Sequence, residues 1–155
     1  MAHYFKATFY FLLVCFVTLS CKKKITIQED KIYSRHLQEH IKLTILSTPL
    51  PDNKSDMNLL LLNDGQDVLQ LGAKEILDSL YSKKIISPLL IVAIHSDDRL
   101  QEYGVSGFPD YRNNGSRADK YAAFVDNELY DFVKKKAGVR KFKTISQPLP
   151  AWEVQ

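Results

Sequence analysis

Hydrophobic and polar residues along this chain form patterns that predict three strands. Alternation with a period of two over residues 36–45 predicts a half-buried strand that ends near Pro49. Two uninterrupted apolar runs, 57–62 and 89–94, are typical of short strands that are buried on both faces of a sheet. We therefore expect one strand with a polar face, followed by two inner strands of a parallel sheet.

Apolar residues at helical spacing predict two amphipathic helices. The first covers residues 69–80, between the two apolar runs. The second is predicted to start at Ser116, which forms a capping box with Asp119, and to end at Gly138. Residues 96–115 carry several glycines and no periodicity, so we expect a long loop there. Strands that alternate with helices predict an α/β fold.

The first twenty residues differ from the rest and are predicted to be a signal peptide, because a charge-free apolar stretch follows Lys6. Leu19-Ser20-Cys21 then resembles the lipobox of bacterial lipoproteins, in which the cysteine is acylated. A plain secretory signal with an incidental cysteine is the alternative. We expect export, a lipid anchor at Cys21 on the periplasmic side of a bacterial membrane, and a polar linker over residues 21–35.

The composition is that of an ordinary globular protein, with 45% hydrophobic and 25% charged residues among 155. This length accommodates one domain with one small core. The net charge of +3 is too small for a nucleic-acid-binding surface, because Lys and Arg are balanced by nearly as many Asp and Glu. We therefore expect no nucleic-acid partner.

The joint between the first apolar run and the first helix carries candidate chemistry. Its sequence, Asn63-Asp64-Gly65-Gln66-Asp67, places a glycine where the backbone can approach a ligand closely. The free N–H groups at the start of a helix would point outward there, and such donors suit an oxyanion. An Asp-Gly pair is also a strong signal for a hairpin turn. The helical periodicity that follows favours the strand-to-helix joint.

Several segments occur together in one order along residues 34–145. They are the run 60–66, the run 89–94, the loop residues Arg99, Glu102, Tyr103 and Gly104, and the helix residues Ala118, Asp119, Lys120, Tyr121, Phe124, Val125, Glu128, Leu129 and Phe132. In this order they resemble the esterase family that includes enterochelin esterases and esterase D. The resemblance implies an α/β-hydrolase fold and the hydrolysis of small-molecule carboxylic esters without a cofactor or a metal.

The same resemblance implies roles for individual residues. Backbone N–H groups of Gln66 or Asp67 would bind the oxyanion, and Asp64 and Gly65 would form the turn that supports them. The loop residues would border the substrate cleft; they are Arg99, Glu102 and Tyr103. A surface ion pair with a packed tyrosine is an equally good interpretation of these three residues.

Family members carry a nucleophilic serine in Gly-x-Ser-x-Gly, and the 155 residues do not contain this motif. The strand before it should start at 143–145, but prolines follow at 148 and 150, where they would remove ladder hydrogen bonds. We therefore predict an incomplete α/β-hydrolase fold, with a mostly parallel sheet flanked by helices over residues 36–145. We expect an aberrant tail over 146–155, a truncation that a frameshift would explain, and no activity of this chain alone.

Two other function classes remain open. The first is a non-catalytic, lipid-anchored binding protein that reuses part of the fold. The second is a zinc hydrolase, because His36-Leu37-Gln38-Glu39-His40 reads H-x-x-E-H, although this motif needs a helix and the segment reads as a strand. A serine between glycines at 104–107 has the wrong spacing for a nucleophile, and His95, at a strand end, is assigned no catalytic role.

Overall fold

The structure is a computed structural model that describes residues 24–103 and 114–147. The predicted signal peptide, Cys21, the glycine-flanked serine at 106 and residues 148–155 lie outside this part of the chain. In the described part, five strands form one mixed sheet in the order β1-β2-β4-β3-β5. The strands are β1 (Thr26–Ser34), β2 (Glu39–Ser47), β3 (Asn58–Leu62), β4 (Leu89–Ile94) and β5 (Ile145–Ser146).

The directions of the strands confirm the predicted α/β architecture. β3 and β4 are parallel, with Leu60 opposite Ile91, and β5 continues the parallel arrangement on the other side of β3. β2 pairs antiparallel with both β1 and β4. The uninterrupted apolar runs of β3 and β4 are explained by their place in the middle of the sheet, where helices cover both faces.

Helices pack on both faces of the sheet and divide the core in two. One face carries α1 (Ala73–Ser82), whose Leu77 packs against β2 and β4. The other face carries a long helix that begins as α3 (Ala118–Phe124), passes through a π-helical turn (Val125–Leu129) and ends as α4 (Tyr130–Ala137). Gly138 ends this helix in the left-handed conformation, with φ of 66°, as predicted. Leu69 and Ile76, expected on the apolar face of the first helix, are exposed.

The expected linker over residues 21–35 is wrong for nine of its fifteen residues, because Thr26–Ser34 is strand β1. Most of its side chains are exposed, so the strand lacks the hydrophobic alternation that would have indicated it. Backbone hydrogen bonds to β2 hold it at the edge of the sheet. Residues 35–38 form the hairpin turn, with Gln38 at φ of 61°, so β2 starts at Glu39 rather than at residue 36.

The predicted capping box at Ser116 is also wrong. The helix is capped at Arg117 without a side-chain hydrogen bond, and the Ser116 hydroxyl donates to the side-chain oxygen of Gln101 instead. Gln101 belongs to a short helix, α2 (Arg99–Glu102), inside the segment expected to be a loop. A tertiary partner therefore replaces the local cap.

The chain returns to the sheet at β5, where a strand was expected to start. The Lys143 N–H donates to the Met57 carbonyl at 2.9 Å, and the Leu59 N–H donates to the Thr144 carbonyl at 2.9 Å. Ile145 then lies opposite Leu59 in parallel register. No helix within residues 24–103 or 114–147 has both the length and the apolar surface to span a bilayer.

Candidate active site

The Asp-Gly joint lies at the carboxyl end of β3 and leads into a turn of 3-10 helix. Asp64 adopts the left-handed conformation with φ of 56°, and Gly65–Asp67 forms the helical turn. No strand returns from this joint to pair with β3; its sheet neighbours β4 and β5 are both parallel to it. The hairpin interpretation of the Asp-Gly pair is therefore wrong, and the strand-to-helix interpretation is confirmed.

Gly65 is pressed against the neighbouring strand. A Cβ at this position would lie 2.6 Å from the Ala93 carbonyl oxygen and 2.8 Å from Cδ2 of His95. Only a residue without a side chain lets the turn lie this close to the end of β4. The glycine thus brings the backbone of the turn close to the carboxyl ends of the strands, where catalytic groups of open α/β sheets gather.

The two candidate oxyanion donors differ in their present partners. The Asp67 N–H donates to the Asp64 carbonyl at 3.2 Å, as part of the helical turn. Within the described residues, no acceptor is bonded to the Gln66 N–H, and Gln66 is exposed. Of this pair, the Gln66 N–H is therefore the one that has no acceptor among the described residues and can donate to a ligand oxygen.

Two of the predicted loop residues contact Asp64. The Asp64 N–H donates to the Tyr103 hydroxyl at 3.4 Å, and the Arg99 guanidinium lies 3.5 Å from the Asp64 carboxylate. The Arg99 side chain is 61% exposed, so solvent weakens this ion pair. Burial raises the pKa of the Tyr103 hydroxyl, which keeps it protonated as a neutral hydrogen-bonding group. Arg99 and Tyr103 thus brace the turn that carries Gln66.

Glu102 lies apart from the turn, in a buried polar network. Its side chain is 3% exposed; Oε2 accepts from the Ser96 hydroxyl at 2.6 Å, and Oε1 lies 3.8 Å from Arg117. Arg117 also donates to the Leu37 carbonyl at 3.3 Å and contacts the Glu39 carboxylate. Burial raises the pKa of Glu102, although the hydrogen bond from Ser96 opposes this change. Glu102 joins α2, β2 and the start of α3 rather than facing solvent.

Sequence reasoning missed two further residues at this site. Tyr121 donates to the Asn63 side-chain oxygen at 2.7 Å, directly before the turn, and its ring packs edge-on against Tyr103 with centroids 5.3 Å apart. Burial raises the pKa of the Tyr121 hydroxyl, so it remains a donor. From the sequence, Tyr121 was assigned to the apolar stripe of its helix and to the segments that resemble the esterase family, but not to the site. A tyrosine on an apolar stripe is the available signal for a buried polar contact.

The H-x-x-E-H segment has no geometry for a metal site. His36 lies in the β1–β2 turn, the His40 ring packs edge-on against Tyr33 with centroids 5.2 Å apart, and Glu39 pairs with Arg117. Within the described residues, no group of three or more potential metal-ligating side chains comes together. The arrangement therefore gives no support to zinc catalysis.

The larger cavities lie at the other end of the sheet. One of about 560 Å³ is lined by residues that include Thr26, Ser47 and Leu90, and one of about 840 Å³ by residues that include Lys74 and Tyr81. Neither contains a residue of the Asp64–Asp67 turn in its lining. These two cavities, in the described part of the chain, therefore lie away from the candidate site.

The sequence matches the Putative esterase family over residues 34–146. The chain belongs to this family. The uncharacterized protein YjcH of Bacillus subtilis (strain 168) is 28% identical over 116 residues, which are 72% of this chain and 45% of YjcH. The chain thus spans less than half the length of this curated relative.

Solved structures show the same fold. An IroE-like serine hydrolase from Shewanella oneidensis is 24% identical with a TM-score of 0.55, over 72% of this chain and 39% of the hydrolase. The enterochelin esterase of Shigella flexneri is 21% identical with a TM-score of 0.59, over 73% of this chain and 26% of that enzyme. The described sheet and helices therefore form part of an α/β-hydrolase-like fold.

Proposed function

We propose that this chain supplies the oxyanion-binding half of a carboxylic-ester hydrolase that acts on small-molecule esters. The observation that carries the proposal is the Gln66 N–H, which has no acceptor among the described residues and lies at the carboxyl end of β3. Membership of the esterase family and the fold shared with the Shigella enterochelin esterase support the reaction class. Gln66 would donate to the oxygen that becomes negative when a serine attacks the ester carbonyl.

In this proposal, the nucleophile comes from outside these 155 residues. The 155 residues contain no Gly-x-Ser-x-Gly, the motif that exposes the serine of this family on a sharp strand-to-helix turn. An oxyanion donor stabilises a tetrahedral intermediate by hydrogen bonding but forms no covalent bond to the substrate. We therefore expect the 155 residues by themselves to release no nitrophenol from a nitrophenyl ester. Turnover that a serine-directed inhibitor abolishes, well above that of a control protein, would contradict this proposal.

A hybrid enzyme tests the oxyanion role directly. Residues 34–146 replace the matched part of the Shewanella serine hydrolase, and hydrolysis of a nitrophenyl ester is measured. Gln66→Pro removes the backbone N–H while keeping a φ that suits a helical turn, and should lower kcat on the order of 100- to 1,000-fold. Gln66→Ala retains the N–H and is the matched control. Equal rates for the two variants, or a folded but inactive parent hybrid, would contradict the proposal.

We also propose that Cys21 is acylated and holds the domain at a membrane surface. The support is the Leu19-Ser20-Cys21 sequence after an apolar stretch. Because β1 starts at Thr26, five residue steps separate it from Cys21, which reach at most about 17 Å. Mass spectrometry of the exported protein should find a lipid on Cys21, and Cys21→Ser should move it to the soluble fraction. An unmodified cysteine would refute the anchor.

A further inference from the structure

A row of side chains crosses three strands and ends at the Asp-Gly turn. Glu29 on β1 lies opposite Thr44 on β2, and Thr44 lies opposite Ala93 on β4. His95 follows Ala93 by two residues and therefore shares its face of the sheet. The His95 N–H donates to the Lys42 carbonyl at 3.0 Å, which extends the ladder beyond the end of β4.

The hydrogen bonds along this row define which ring nitrogen of His95 carries a proton. The Thr44 hydroxyl donates its single proton to Glu29 Oε1 at 3.1 Å. His95 Nε2 lies 2.8 Å from the same hydroxyl oxygen, which must then act as the acceptor. This arrangement of bonds requires a proton on His95 Nε2, and the resulting hydrogen bond orients the ring. Thr44 is 1% exposed, so little water reaches its hydroxyl group.

The held ring forms one wall of the turn. A Cβ on Gly65 would meet His95 Cδ2 at 2.8 Å, so the backbone of Gly65 lies directly against the imidazole edge. The Ala93 carbonyl forms the other wall. A displacement of the ring changes the space into which Gly65 fits. Because Gln66 is the next residue along the chain, its N–H would move as well.

We propose that His95 is a positioning residue: held by Thr44 and Glu29, its ring fixes Gly65 and thereby the direction of the Gln66 N–H. The inference rests on the proposed function, because the direction of the Gln66 N–H affects catalysis only if this group donates to the oxyanion. Small errors in the position of a catalytic dipole reduce its effect strongly, which is why such donors are held by rigid surroundings.

Nuclear magnetic resonance of the full chain tests the row without any assay of activity. Long-range nitrogen–proton spectra should show the His95 ring protonated at Nε2. Thr44→Val keeps the shape of the side chain but removes the hydroxyl; it should change the ring signals and shift the Gly65 and Gln66 amide resonances. Thr44→Ser restores the hydroxyl and should restore all three signals. Thr48→Val removes a different buried hydroxyl, which accepts from the Leu89 N–H, and should leave them unchanged.

A surface variant covers the case in which Thr44→Val does not fold. Glu29 is exposed, and Glu29→Ala frees the Thr44 proton, so the His95 ring should become a mixture of its two neutral forms. A ring protonated at Nδ1 in the unaltered chain would overturn the proposal. So would unchanged Gly65 and Gln66 amides when the ring signals change. An inactive hybrid enzyme would instead overturn the proposed function and would not affect the contact of His95 with Thr44 and Gly65 that the resonance spectra report.

Discussion

Gly65 and Gly72 lie within one stretch of chain, yet the structure uses glycine at these positions for different reasons. Gly72 has φ of 73°, and a Cβ there would make only an ordinary contact, 3.8 Å from the Glu75 carboxylate, so conformation rather than space disfavours other residues. Gly65 has no positive φ and is instead in contact with backbone atoms of β4 and with His95. Backbone atoms of a central strand cannot move aside as a flexible side chain does.

At this residue scale we predict that Gly65→Ala lowers the free energy of unfolding by about 1–3 kcal/mol, because the added methyl overpacks the contact with Ala93. Urea unfolding followed by circular dichroism measures the loss. The Gly65→Ala variant should also shift the His95 ring signals, whereas Gly72→Ala should not. A loss below about 0.5 kcal/mol, within the range of an ordinary surface change, would contradict the close contact.

At the scale of elements, a buried carboxylate joins the β1–β2 hairpin to the long helix. Glu128, in the π-helical turn, accepts from the Arg35 N–H at 3.1 Å and from its Nε at 3.2 Å. Burial of Glu128 favours its neutral form, but hydrogen bonds from Ser34 and Arg35 outweigh burial and lower its pKa from 4.5. The hairpin was assigned in part to a linker from the sequence, and this contact ties it to the long helix in addition to the pairing of β2 with β4.

The lowered pKa predicts how stability changes in acid. The ionised Glu128 contributes stability above pH 4.5, and this contribution is lost as the pH falls through the lower pKa of the folded state. Glu128→Gln should lower the free energy of unfolding at neutral pH by about 1–3 kcal/mol and should flatten its decline in acid.

Urea midpoints measured across the acid range test this prediction. The matched control is Asp131→Asn, which breaks the ion pair of the exposed Asp131 carboxylate with Lys134 and should change stability less than Glu128→Gln does. Equal losses for Glu128→Gln and Asp131→Asn would show that the hairpin contact contributes no more than a surface pair.

At the scale of the whole molecule, the sheet has an apolar residue on its short edge strand. Ile145 on β5 is 49% exposed and lies beside β3, whose Leu59 and Leu61 are buried. An exposed apolar sheet edge offers unpaired N–H and C=O groups to other chains, and a charge on the edge opposes such pairing. A binding protein would instead be a soluble monomer that unfolds cooperatively.

We predict that the purified chain associates and that Ile145→Lys reduces this association, because a charge on an edge strand opposes pairing. Sedimentation velocity over a range of concentrations measures the effect. Leu71→Lys is the control, since Leu71 is more exposed, at 74%, but does not belong to the sheet. Monomeric behaviour of the unaltered chain would favour the binding protein over the incomplete esterase. Equal effects of Ile145→Lys and Leu71→Lys would exclude the β5 edge as the site of association.

The sequence alone determined the inner strands, the two main helices, the end of the long helix at Gly138 and the strand-to-helix joint at Asp64. Each of these features leaves a local pattern, because a buried strand must be apolar throughout and an amphipathic helix must repeat every 3.6 residues. Family membership followed from the same segments. The order of the joint, the inner strand and the long helix was enough to predict the α/β-hydrolase fold.

Only the tertiary structure decided what depends on residues far apart in the chain. β1 is an exposed edge strand held by backbone hydrogen bonds, which carry no sequence pattern. Ser116 bonds to Gln101 instead of capping its helix, and Asp67 uses its N–H within the turn while Gln66 does not. The contact of Thr44 with His95 spans 51 positions and requires the sheet register. Burial and proximity, rather than local preference, select these partners.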